Sequence, residues 1–446
     1  MWLFPFLGIR QTRQANMNRN NDPESQMAAD NCVAIERGMR QSFERWYDTR
    51  ILRARTWLHI AVVFMTFAAL VWLGYEFYRL LWQPDQIGGW RVHPGAIDVK
   101  LRHRDVQRWF AGTPIHAAYP PASFAVLWPL LGWLDEKAVT LMWAGTTLAM
   151  LGWLVYLTVR ESGADSPLEK AFAALIPLSM YPTGATIGNG QLILHLLPML
   201  VAGLLLVYRG GQGWCKDLLA SAMILVSLVK PSISVPFFWI LLFVYGRLRP
   251  ALLVSLGYII LTFFAASFQD SGLLVLFHDW LTHGSKLAVT AGKGYASVHI
   301  GLAALGLEHF ILLASLLILV ALGIWTYCFR NVDLWLLMGV AAIVTRFWTY
   351  HRWYDDLLIL LPMISLFRIA KKGSSVDVTK VLASVLLGIT ILAMLAPGGL
   401  YLFPRPWNMC YVTGQIVVWL SVLVFLLNCA WREKRQYGSA KVNHSQ

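Results

Sequence analysis

Between two apolar runs, residues 345–362 read TRFWTYHRWYDDLLILLP and bring Arg346, His351, Arg352, Asp355 and Asp356 close together. A charged side chain stranded at a bilayer centre costs about 2.5–3.5 kcal/mol on the gentlest scale. Two readings therefore stand. The stretch is a loop outside the apolar layer, or it lines a wet cavity in which carboxylates and an imidazole can move protons and guanidinium groups can hold an anion. His351 lies one helical turn before Asp355, on the same face. Lys230 in LVKP (228–231) poses the same choice. Beside the Pro231 break it is costly unless it meets an anion, or else it snorkels to the headgroups. In IGNGQ (187–191), Asn189 and Gln191 flank a glycine break, where they cap a helix or offer hydrogen bonds to a bound molecule.

A fourth group lies in the long polar segment 82–118, GGWRVHPGAIDVKLRHRDVQRWFAGTPIHAAYPP in its larger part. Val99, Val106, Trp109 and Phe110 among charges predict a short amphipathic interfacial helix over 98–110. Asp98 stands at its start, where the helix dipole favours a carboxylate, so an N-cap aspartate is the plain reading. Asp105, among Arg102, Arg104 and Arg108, reads as an ion-pair partner on the helix surface.

What must position these residues is a set of apolar helices. Of 446 residues 57% are hydrophobic and 14% charged, against roughly 45–50% and about 25% in soluble domains. With repeated apolar runs near 20 residues, this predicts an all-α polytopic helical membrane protein. The runs fall at about 57–81, 138–158, 169–187, 190–208, 218–230, 232–246, 251–268, 309–328, 334–349, 355–370, 380–397 and 410–430. A further segment, 119–134, carries Pro120, Pro121 and Pro129 and reads as re-entrant or surface-lying.

The formal charge of +13 sits in short basic clusters beside these runs, so it reads as a topology signal and not as a nucleic-acid surface. The clusters are Arg50, Arg53 and Arg55; Arg209 with Lys216; Arg247 with Arg249; Arg368, Lys371 and Lys372; and Arg432, Lys434 and Arg435. All fall inside if twelve segments cross and 119–134 does not. The polar groups above, with loop 269–307, then share the outer side. Residues 1–56 read as a cytoplasmic tail ending in a basic surface helix, with a lipid-binding arm as the other reading. Residues 57–431 form the membrane domain and 432–446 a cytoplasmic C-terminal tail. The opening MWLFPFLGIR is too short and lacks the basic start of a signal peptide. Five scattered cysteines have no metal or disulfide spacing, and no metal site or cofactor is expected.

The order of these motifs resembles glycosyltransferase family 87. It runs from Asp98 through AGTP (111–114), YPP (119–121) and PLL (129–131), then GNGQ (188–191), VKP (229–231) and YDDLLILLP (354–362). No one motif is specific, but their order is. The resemblance implies a GT-C-like enzyme that takes a mannose-like hexose or a pentose from a polyprenyl-phosphate carrier. It would pass the sugar, with inversion, to a lipid or glycan acceptor at the outer face of a cell membrane. Inversion needs one carboxylate to accept the proton of the attacking hydroxyl; the resemblance assigns that role to Asp98, with Asp355 and His351 next in line. It implies Lys230, Arg346 and Arg352 toward phosphate, and Asn189, Gln191, Tyr119 and Tyr354 along the substrates. The family's aromatic-rich stretch after the aspartate is here the basic KLRHRDVQRWF.

The rivals are a polytopic lipid or glycolipid transporter and a polysaccharide polymerase or ligase using polyprenyl-linked sugars. Transporters often show paired halves with broken helices, and no such repeat is evident; a polymerase would favour a large outer loop with arginines. Topology reporters fused at Gln446 and within loop 209–217 should both report the cytoplasmic side. An outer-side signal from either would move the polar groups inside.

Overall fold

The computed structural model describes residues 56–83, 86–87, 90–91, 95–113, 115, 119–210, 213–243, 248–290, 296–372, 377–396, 400 and 403–443. The tail 1–55 with Arg50, Arg53 and Arg55, together with Pro114 of AGTP and Arg247, lies outside them. Contacts divide the chain into Met1–Ala61 and Val62–Gln446. Residues 56–61, the described part of the first unit, are helical; all that follows concerns the second.

Apart from a two-residue antiparallel hairpin, Gln86–Ile87 with Trp90–Arg91, the regular structure is helical. Among the described residues the apolar runs of the sequence are helical, two of them in two pieces. Those long and apolar enough to cross a membrane are Thr56–Trp82, Glu136–Ser162, Leu248–Ala266, Glu308–Cys328, Val378–Leu395 and Trp407–Gln436. The pair Tyr181–Asn189 and Ile193–Arg209, bent by 117°, makes a seventh span if counted as one. Twelve crossings were expected; the remaining apolar runs form helices that are shorter than this length or broken. The run 218–230 forms Trp214–Ser227, 14 residues, about 21 Å at 1.5 Å per residue against a hydrocarbon core of about 30 Å. The run 169–187 breaks at Met180, where Pro182 opens a second helix. The segment expected not to cross is the 11-residue helix Pro121–Leu131.

Three breaks shape the site. After Tyr181–Asn189, Gly190 adopts φ 70°, and Gln191 N–H returns to Thr186 O at 2.9 Å. The left-handed turn suits glycine, and a Cβ there would lie 2.7 Å from Val99 Cγ1. Between Trp214–Ser227 and Pro231–Phe243, Ser234 Oγ donates to Ser227 O at 2.6 Å and closes the turn that holds Lys230. Ser123 Oγ ties the short Pro121–Leu131 helix to Val229 O at 2.7 Å. The third break follows Leu334–Trp348, where a 3-10 segment, Trp353–Ile359, leads into Leu360–Lys371.

The helix expected at 98–110 spans Ile97–Phe110 and buries Val99, His103, Val106 and Trp109, a helical period. Trp109 anchors its far end, stacking on Phe124 at 4.3 Å and donating from Nε1 to Ala265 O at 2.8 Å. Gln269 Nε2 caps it by donating to Trp109 O at 2.6 Å. At the other pole Arg209 pairs with Glu161 at 2.5 Å, Arg368 with Asp333 at 3.2 Å, and Lys371 with Asp165 at 2.8 Å. Arg368 also donates to Glu161 O, so basic clusters widely separated in sequence meet one acidic centre.

Trp109→Ala removes both the stack and the hydrogen bond and should cost about 3–5 kcal/mol. Trp109→Phe, which keeps the stack and loses the indole bond while Ala265 O keeps its long bond from Phe268 N–H, should cost about 0.5–1.5 kcal/mol. Thermal melts of the detergent-solubilised chain read both, and equal melting of all three forms would contradict the anchor.

Candidate active site

The three breaks meet. Lys230, from the turn before Pro231, donates to Asp355 Oδ1 at 2.6 Å; the carboxylate is 1% exposed. Asp355 Oδ2 accepts from Arg352 N–H at 3.2 Å, and Thr186 Oγ1 donates to Tyr354 O at 3.3 Å. Trp348 Nε1 donates to Ser232 O at 2.9 Å, so the segment after Lys230 is fastened to the end of the helix that precedes the motif. Within the YHRWYDD stretch His351, Tyr354, Asp355 and Asp356 are therefore buried, and Tyr350, Arg352 and Trp353 are half-buried.

Asp98 is not the cap of its helix. Ala96 occupies that position at φ 57°, and no side chain caps the end. Asp98 lies in the first turn and hydrogen-bonds the side chain of Gln191. Burial pushes its carboxyl above the ordinary carboxylate range; the Gln191 bond and the nearby Arg102, Arg352 and Lys230 act against that rise. Of these three cations, Arg102 pairs with Asp105 at 2.8 Å and lies over the Tyr119 ring at 4.7 Å. Lys230 is held by Asp355, with the Tyr354 ring 5.2 Å away. Arg352 has no carboxylate partner among the described residues. Its Nε donates to the Tyr350 hydroxyl, and its terminal nitrogens have no hydrogen bond among the described residues.

The other expected residues are placed as follows. Arg346, fully buried, bonds Asp356 and donates from Nη1 to Ala296 O at 2.7 Å. It ties the segment at Ala296 to the helix Leu334–Trp348. His351 is buried, with Nδ1 3.1 Å from Thr349 O and Nε2 3.1 Å from Ser232 O; both ring nitrogens face backbone. Asn189 Oδ1 accepts from Arg79 Nη2 at 2.6 Å. Asp98, Gln191, Tyr119, Lys230, Arg352, Tyr354 and Asp355 thus share one cluster. Asn189, Arg346 and His351 brace its walls.

Arg79, Arg102 and Tyr350 were not singled out from the sequence. Arg79 and Glu76, three residues apart in the first apolar run, gave the one readable signal, a charged pair where a span should be apolar. Among the described residues no group of three His, Cys, Asp or Glu side chains could hold a metal.

A buried pair stripped of one partner is strongly destabilised, whereas an apolar replacement of both is tolerated. Lys230→Met should therefore cost about 3–5 kcal/mol, and adding Asp355→Leu should restore most of it. Melting of the single and double variants decides this; a single variant as stable as the native chain would mean that the pair does not hold the breaks together.

A model of glycosyltransferase family 87 matches residues 117–356, which include Tyr119, GNGQ, VKP and the YHRWYDD stretch and begin downstream of Asp98. No match to the chain is found among curated proteins or among solved structures. With more than half of its length matched, bundled apolar helices and a buried polar cluster inside the matched stretch, the chain belongs to glycosyltransferase family 87 and is a membrane glycosyltransferase.

Proposed function

We propose that the chain is an inverting transferase that moves a sugar, mannose-like or a pentose, from a polyprenyl-phosphate carrier to a lipid or glycan acceptor at the outer membrane face. Asp98 is the base. The observation that carries this reading is the half-buried Asp98 carboxylate, hydrogen-bonded by Gln191 and set beside Arg352, an arginine with no carboxylate partner among the described residues. In the reaction the acceptor oxygen attacks the anomeric carbon and Asp98 takes the hydroxyl proton. The bond from that carbon to the carrier phosphate breaks, and its electron pair leaves with the phosphate. A phosphate leaving group needs charge stabilisation more than a proton. Arg352 offers a planar guanidinium suited to two phosphate oxygens; Lys230, already on Asp355, adds positive potential without a free donor geometry of its own.

In this reading twelve segments cross, both termini are cytoplasmic, and the Asp98 helix lies at the outer interface of a cell membrane, where a carrier's phosphate–sugar bond would reside. The carrier's chain stays among lipids, and no cofactor takes part. Asp355, Tyr354 and Tyr119 line the sugar; Asn189, Arg346 and His351 set the walls.

Asp98→Asn keeps the shape and removes the proton acceptor, so turnover should fall by about 10²–10⁴-fold while expression and donor binding persist; Asp105→Asn should retain most activity. A base must be ionised, so the rate should fall as pH drops through the raised carboxyl pKa of Asp98. Gln191→Leu deletes a bond that favours the ionised form and should move this acid limb to higher pH. Near-normal transfer by Asp98→Asn, or an acid limb unmoved in Gln191→Leu, would remove Asp98 from the role.

A further inference from the structure

We propose that Glu76 and Arg79, a buried ion pair within the first helix, are positioning residues that hold the Asp98 helix in place through the GNGQ break. The inference rests on the assignment of Asp98 as the base. Arg79 Nε lies 2.9 Å from Glu76 Oε2, with the two side chains 12% and 3% exposed. Arg79 Nη2 reaches across to Asn189 Oδ1 at 2.6 Å. One guanidinium thus fixes both a carboxylate on its own helix and the break opposite, which a planar fork does and an ammonium does not.

From the break the constraint passes to Asp98 by short contacts. Gly188 O accepts from Ala96 N–H at 2.9 Å, at the position that opens the Asp98 helix. Gly188 has room for no side chain: a Cβ would stand 1.9 Å from Glu76 Oε2 and 2.5 Å from Arg79 Nε. Gly95 is packed as tightly, since its Cβ would overlap the Arg79 carbonyl oxygen at 1.6 Å. Ala96 holds φ 57° between these two contacts, a left-handed conformation that costs a non-glycine residue energy and persists where its surroundings fix it. Val99 then rests on Gly190, and Gln191 bonds Asp98 itself.

A stability role alone does not account for the pair. An ion pair in an apolar helix is no more stabilising than well-packed apolar residues of the same size. What the ions supply is position: a guanidinium held beside a carboxylate on its own helix while it donates to Asn189, and hence one register between the first helix, the break and the Asp98 turn.

The test uses the full chain in lipid nanodiscs. Glu76→Gln combined with Arg79→Met removes both charges, keeps the volume and leaves no unpaired buried ion. Hydrogen exchange is followed at residues 95–110 and, as a control, at 334–348. Transfer is assayed with polyprenyl-phosphate mannose as donor and extracted membrane lipids as acceptor. Exchange over 95–110 should rise by about tenfold or more with 334–348 unchanged. Turnover should fall by about a hundredfold with donor KM unchanged, as expected for a base displaced by an ångström or so. Arg79→Lys, which keeps the ion pair and loses the fork, should recover protection only in part. Unchanged protection over 95–110 overturns the inference. Loosened exchange with normal turnover leaves the anchor standing and overturns the assignment of Asp98.

Discussion

The Lys230–Asp355 pair is the contact on which the site's geometry depends. It joins two chain breaks 125 residues apart, with the carboxylate 1% and the lysine side chain 13% exposed. Neither ion could be left there without the other, because desolvation of an unpaired buried charge costs several kcal/mol. The pair therefore fixes the register between the turn at Pro231 and the 3-10 segment Trp353–Ile359, and with it the positions of Tyr354 and Arg352. It also spends the lysine. Arg102 on Asp105 and Arg346 on Asp356 also have carboxylate partners, whereas Arg352, beside Asp98, has none within ion-pair distance among the described residues. A site that must receive an anion is best served by one open cation inside a framework of closed pairs, since the closed pairs cannot rearrange when the anion leaves.

Much of this was legible in the sequence, and what was not has a common cause. Apolar periodicity located the helices under the apolar runs but not Leu273–Thr290 and Val298–Ala304, which lie where a loop was expected over 269–307; the proline at 231 and the glycines at 188 and 190 located two of the three breaks that build the site. The helix over 98–110 followed from Val99, Val106 and Trp109 recurring on one face. Partners did not follow. Asp98 looked like an N-cap because aspartate is common there, yet the cap is Ala96, forced into a left-handed conformation by contacts with Gly188 and the end of the first helix. His351 and Asn189 read as ligand-facing polar groups, yet one bonds backbone carbonyls and the other an arginine 110 residues away. Residue type shows that a buried polar group needs a partner; only the fold supplies its name.

The short helices have a related cause. Several apolar runs, each taken as a span, form short helices that meet at breaks within the protein. Such breaks are tolerated in an apolar layer when the freed backbone groups find partners within the protein. Here Ser234 serves Ser227, Ser123 serves Val229 and Thr186 serves Tyr354. The apolar side of the sequence and its polar interruptions are thus one device: short helices end where polar side chains are needed, and the hydroxyls that repair those ends also draw the functional groups together.

The most direct test of the account is a structure of the full chain with a polyprenyl-phosphate sugar bound. The account predicts phosphate oxygens on the terminal nitrogens of Arg352, the anomeric carbon facing the Asp98 carboxylate with room for an acceptor hydroxyl between them, and Lys230 still on Asp355. A phosphate that takes Lys230 away from Asp355, or a sugar bound out of reach of Asp98, would contradict it.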